Sequence, residues 1–329
     1  MSRNKTILSH HGPALGPLAG IMLIGWLGVA TDGLAESGVW AIKTGMPTTR
    51  WGMHTAAVEG TVYAVGGFGK NLLALATVEA YDVKTDTWTK KAELSVPRLF
   101  HATAAVNGKI YAIGGAGRAA VTVPGLPVVE EYAPERDRWT RKTDMPTPRA
   151  DLTTSVVAGK IYAIGGTEHV GVDPLPTVEV YDPENDTWTR KADMPTPRLH
   201  HGSAVVNGKI YVIGGSTTEW PAPSPAVEAY DPVTDSWTKK ADMPTERTGL
   251  WASAVDGKIY VVGGVGWDST ELATVEEYDP ASDTWTKKAD MPTPRMLLAT
   301  EAVNGKLYAI GGTSGNWRTH FNAVEEYTP

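Results

Sequence analysis

A tryptophan, a Gly-Gly pair and a tyrosine recur in fixed order six times along the chain, and this recurrence constrains the fold more than any other feature. The tryptophans Trp40, Trp88, Trp139, Trp188, Trp237 and Trp285 each stand 26 residues before the first glycine of a pair, at Gly66, Gly114, Gly165, Gly214, Gly263 and Gly311. The tyrosines are Tyr81, Tyr132, Tyr181, Tyr230, Tyr278 and Tyr327, and wherever a tryptophan follows, it lies seven residues on. Only the step from Gly-Gly to tyrosine varies, from 15 to 18 residues. A period of 48 to 51 residues marks a repeat architecture and overrules a domain count based on length.

Within a copy the apolar residues alternate with period two, as in Thr103–Val106, Lys109–Ile113, Val129–Tyr132 and Asp137–Thr140, which predicts four short strands. The pairs Asn107-Gly108, Asn207-Gly208, Asp256-Gly257 and Asn304-Gly305 accept the positive φ of a type I′ hairpin, so the first two strands are antiparallel. Asp-Pro at Asp182, Asp231 and Asp279 opens the turn between the third and fourth strands. Six such units with no helix beyond the N-terminal leader predict an all-β fold, a six-bladed β-propeller. The chain ends at Tyr327-Thr-Pro without the tryptophan due seven residues later, while Trp40 has no strands ahead of it. The strand around Trp40 is therefore expected to complete the last blade and remove an exposed sheet edge.

Gly-Gly after an apolar strand, the tyrosine of VEEYDP (275–280) and the tryptophan of DTW (283–285) resemble kelch repeats over residues 40 to 329. Kelch proteins that grip acidic peptides do so through arginines near the channel. Exported bacterial kelch propellers also include sialic acid mutarotases, which this chain resembles distantly in size, leader and blade number. Other relatives are copper radical oxidases whose cofactor is a cysteine crosslinked to a tyrosine, and a chain with no cysteine cannot form it.

Ahead of the repeats, Arg3 and Lys5 precede the apolar run Leu18–Ala30, and Gly33-Leu-Ala35 offers small residues for cleavage. The expectation is a signal peptide over 1–35, a propeller over 36–329, and a secreted or periplasmic product. A run of 13 is short of the roughly 20 residues that span a bilayer, so no stable membrane insertion is expected after cleavage. The net charge is −7, and residues 1–35 carry Arg3 and Lys5 against Asp32, which leaves the propeller at −8. That charge argues against a nucleic-acid partner. No His/Asp/Glu grouping has metal-ligand spacing and no Gly-rich segment opens a helix to hold phosphate, so no metal or cofactor is expected.

A meander places the loop between the second and third strands on the same face as the loop between blades. All length variation falls on that face, which makes it the candidate recognition surface. Trp220, Trp267 and Trp317 sit there outside the repeat pattern. Aromatic platforms beside carboxylates and amides suit a peptide, a protein or a glycan.

The loop between blades adds Arg50, Arg98, Arg149, Arg198, Arg247 and Arg295, each four residues after a methionine or, once, Leu94. Symmetry predicts a ring at the channel mouth, where guanidiniums ~9 Å apart repel by about 2 kcal/mol per pair at an effective dielectric near 20. Six glutamates, Glu79, Glu130, Glu179, Glu228, Glu276 and Glu325, each two residues before the tyrosine, are candidate internal partners, and an anionic ligand is the other. Two positions after the arginine the copies diverge, and Asp151 and His200 are the titratable exceptions, from neighbouring blades. These residues frame two readings. One is an exported binding module for a protein, peptide or glycan, with no catalytic residues. The other is a sugar mutarotase or epimerase with an acid–base group and arginines for a substrate carboxylate.

Overall fold

A computed structural model describes residues 38–69, 73–120, 122–218, 222–315, 317 and 319–329. The expected leader over 1–35 and the loop residue Trp220 lie outside them.

Six four-stranded antiparallel sheets follow one another around a central channel. In the second blade the strands are Ala102–Val106, Lys109–Ile113, Val129–Ala133 and Arg138–Arg141, running from the channel outward. The sixth blade joins Ala299–Val303, Lys306–Ile310 and Val324–Thr328 to Val39–Lys43 from the other end of the chain. Trp40 stands opposite Tyr327 in that pairing, the same register that Trp88 keeps with Tyr81. The ring is thus closed by the N-terminal strand, as the spare tryptophan implies.

The repeated residues are the joints of this ring. Each third-strand tyrosine is fully buried, with its ring 5.0 Å from the paired tryptophan in every blade. The indole N–H then reaches the preceding blade: Trp139 Nε1 donates to the Ala92 carbonyl at 2.9 Å, and Trp40 Nε1 to the Ala289 carbonyl at 3.0 Å. An aspartate completes the joint, since Asp137 Oδ1 accepts from the Tyr132 hydroxyl at 2.6 Å and from the Ala92 N–H at 2.8 Å.

The Gly-Gly pair makes the inner joint. Gly115 N–H donates to the Arg149 carbonyl of the next blade at 2.9 Å, and the same bond recurs around the ring to Gly312 and Arg50. At Gly115 φ is +100°, and a Cβ would stand 2.7 Å from His101 Cβ and 2.8 Å from the Leu99 carbonyl. Such contacts and that backbone angle together admit only glycine. At the far ends of the inner strands Asn107 and Gly108 have φ of +51° and +75°, the type I′ geometry expected of these hairpins. The first and third blades reach it with Glu59-Gly60 and Ala158-Gly159.

Candidate functional site

The six arginines are wholly buried, each inside its own blade. Arg149 is representative: its guanidinium donates to Glu179 Oε2 at 2.8 Å, to the Thr177 carbonyl at 3.0 Å and to the Ala163 carbonyl at 3.2 Å. Glu179 Oε1 accepts from the Thr147 hydroxyl at 2.8 Å. Arg50–Glu79, Arg98–Glu130, Arg198–Glu228, Arg247–Glu276 and Arg295–Glu325 repeat the pair. Burial lowers the Arg149 pKa to about 10 against the pull of Glu179, which leaves it charged at neutral pH. The structure therefore differs from an open ring of guanidiniums at a channel mouth. A buried charge needs partners, and the internal glutamates with backbone carbonyls supply them to the terminal guanidinium nitrogens, while among the described residues the Nε–H groups of Arg149, Arg247 and Arg295 find none. The pairs fasten each incoming loop to the third strand of the same blade, and the joints between blades run instead through the arginine carbonyls.

Two residues beyond each arginine the backbone closes a second ring. Gly52, Phe100, Asp151, His200, Gly249 and Leu297 pass hydrogen bonds from N–H to carbonyl, each to the neighbour before it, and Gly52 N–H returns to the Leu297 carbonyl at 3.2 Å. All six have φ between +49° and +62°, a conformation that costs the four non-glycine residues on the order of 1 kcal/mol each. Asp151 and His200 meet here, with Nε2 and Oδ1 2.8 Å apart, and the rings of Phe100 and His200 pack at right angles 5.4 Å apart. The space around them is only about 20 Å³, so the ring shuts the channel at its loop end.

Beneath the ring the channel is a well of about 290 Å³. The well-lining residue next to the last in every inner strand, from Ala57 and Ala105 to Ala254 and Ala302, is half-buried, whereas the strand starts are buried in all but Trp251, so the well opens on the turn face. A belt of hydroxyls crosses it: Thr103 Oγ1 donates to the Thr55 carbonyl at 2.6 Å and Thr154 Oγ1 to the Thr103 carbonyl at 2.7 Å. His54 and Trp251 meet edge to face at 4.3 Å. Glu301 also lines the well, where burial raises its carboxyl to about 7 against a hydrogen bond from Thr55. His54 is pushed down to about 3 by burial and is neutral. Sequence reasoning passed over these three. Their signal was the break at equivalent inner-strand positions, where Glu301 stands in register with Ala56, Ala104, Ser155, Ala204 and Ser253.

On the opposite face an apolar layer that includes Trp51, Phe68, Phe100, Val265 and Leu297 underlies the loops. Trp267 is 61% exposed in the fifth-blade loop, with its indole N–H on Glu246 Oε1 at 2.9 Å. Trp317 in the sixth-blade loop is 40% exposed and sets its ring 5.0 Å from Trp51. Glu271 Oε2 accepts from the Gly315 N–H at 3.1 Å and ties the two loops together. Among the described residues no cluster of His, Asp and Glu is placed to hold a metal ion, and no helix is long and apolar enough to cross a membrane.

The family model of the KLHDC2/KLHL20/DRC7 Kelch-repeats domain matches residues 36–215 and 192–329. Among solved structures the chain is similar to that titled "Structure of YjhT", with a TM-score of 0.75 at 17% identity, over 85% of this chain and 95% of that one. No protein in the curated set matches it in sequence.

Proposed function

Because the chain belongs to the kelch-repeat family and closes six blades into one propeller, we propose that it is an exported binding module that recognises a protein or peptide partner on its loop-rich face. Export rests on the leader composition of residues 1–35. The observation that carries the recognition surface is Trp267, a large aromatic left 61% exposed although the blade frame has no use for it. Its indole is already held by Glu246, so little side-chain freedom is lost when a partner covers it. Exposed, pre-oriented tryptophans are common anchors of protein interfaces. Trp317 on the tied neighbouring loop extends the same surface, and Trp220 belongs to the loop of the fourth blade.

The mutarotase reading needs a cation for an acidic sugar. The six arginines are enclosed and already bonded to glutamates, which weighs for binding over catalysis. Peptides selected by display against the purified protein test the proposal. Selected peptides should lose at least tenfold in affinity to Trp267→Ala, and N-acetylneuraminate should show no accelerated anomer exchange by NMR. Peptides that bind the variant unchanged, or accelerated exchange, would overturn the reading.

A further inference from the structure

The channel well has features that a loop-face binding module does not use. It holds about 290 Å³, room for on the order of ten waters or one small ligand at about 30 Å³ per water. It is closed at the loop end by the ring of Phe100, Asp151, His200 and Leu297 with two glycines, so a ligand enters and leaves from the turn face. The lining is small and uncharged except at one point. Alanines and hydroxyls surround Glu301, and Trp251 supplies an aromatic wall.

The neighbours of Glu301 leave its charge without a cation. The adjoining strand His54–Val58 offers His54, which is neutral, and Trp251–Val255 offers no charged group. On the second strand of its own blade, Lys306 Nζ and the Tyr308 hydroxyl are bonded to Glu326 at 2.7 and 2.8 Å. Thr55 supplies the hydrogen bond that Glu301 receives. The lysines that follow the hairpin turns at the mouth are tied to carboxylates of their own blades, Lys109 to Glu131 and Lys160 to Asp182 at 2.6 Å each, and Lys209 to Asp231 at 3.0 Å. Glu59 and Asp256 on those turns add negative charge there. Among the described residues an anion finds no cation in this well, and a divalent metal finds only one carboxylate where it needs several oxygen ligands.

We infer that the well binds a small aliphatic amine, admitted from the turn face, with its ammonium against Glu301 and the Thr55 hydroxyl and its alkyl chain against Trp251 and the alanine lining. An ammonium supplies the charge that Glu301 lacks, and the aromatic wall favours a cation beside it. Binding is then linked to protons, because the amine requires the ionised carboxylate. With that carboxyl near 7, affinity falls toward tenfold per unit as the pH drops below 7 and levels off above it, while the amine itself stays charged.

The probe is 1,4-diaminobutane, titrated calorimetrically into the full-length protein between pH 6 and pH 8.5 in buffers of different ionisation heat. Saturable binding with proton release at the acid end is expected, abolished by Glu301→Gln and unchanged by Trp267→Ala, which alters the other face. Carboxyl ¹³C NMR of wild-type protein gives a readout that does not depend on the folding of a variant: the amine should move the Glu301 midpoint downward. No saturable binding at pH 8.5, binding that survives Glu301→Gln, an unmoved midpoint, or equal binding of the uncharged 1,4-butanediol would each overturn the inference. The last outcome would assign the well to a polyol.

Discussion

Replacing Glu179 with leucine should cost a large share of the protein's margin of stability without touching a surface. The change removes the carboxylate bonded to Arg149 and leaves a fully buried guanidinium with the carbonyls of Thr177 and Ala163, while the Thr147 hydroxyl loses its acceptor. Breaking a buried pair from one side costs about 3 to 5 kcal/mol, against roughly 5 to 15 kcal/mol for a whole domain. Unfolding entropies near 2.1 cal/mol/K per residue imply about 0.6 kcal/mol/K for a propeller of this length, so Tm should fall by roughly 5 to 8 °C. The double variant Arg149→Met with Glu179→Leu removes both charges and should recover part of that loss, since apolar replacement of a buried pair is often tolerated. Calorimetry and guanidinium denaturation of wild type, both single variants and the double variant measure this directly. A Glu179→Leu protein within about 0.5 kcal/mol of wild type, or a double variant that loses as much as the two singles together, would refute the reasoning. Either result would mean that the guanidinium reaches water and is open to a ligand.

Other consequences are equally open to measurement. Trp40→Ala removes the ring packed on Tyr327 and the indole bond to Ala289, and should cost about 3 to 5 kcal/mol by denaturation, with the sixth blade losing amide protection first. Gly115→Ala should destabilise by more than about 1 kcal/mol and so lower Tm, because the added methyl meets backbone at φ +100°. Glu301 in the unfolded chain titrates at the ordinary 4.5 and in the folded protein near 7. Its contribution is complete below pH 4.5 and is lost as the pH rises through 7, so denaturation of wild type and Glu301→Gln should diverge across that window, with the variant gaining relative stability at pH 8.

The frame was legible in the sequence because its joints repeat. Trp139, Tyr132 and Asp137 make three bonds that recur around the ring, the tryptophan bond in all six blades and the two aspartate bonds in the first five, and such recurrence leaves a period that can be counted. Closure was legible from a defect in that period, the spare Trp40. The arginines were half legible: their match in number to the glutamates identified the partners, but periodicity carries no information about depth, so burial inside the blades had to come from the structure. The ring through Phe100, Asp151, His200 and Leu297 was hidden for a different reason. It is made by backbone groups in left-handed conformations, and side chains as unlike as phenylalanine and aspartate occupy it. Glu301 was visible only as one acid among small residues at equivalent positions, and its importance depends on facing a well that no sequence pattern encloses.

The central claim is that recognition belongs to the loop-rich face, above a frame whose arginines serve only the fold. Amide hydrogen exchange with and without a display-selected peptide tests it most directly. The account predicts new protection confined to the loops around residues 265–274 and 313–322, with the hairpin turns at Asn107-Gly108 and Asn207-Gly208 unchanged. Protection at those turns with the loops unaffected would contradict it and move the recognition surface to the opposite face.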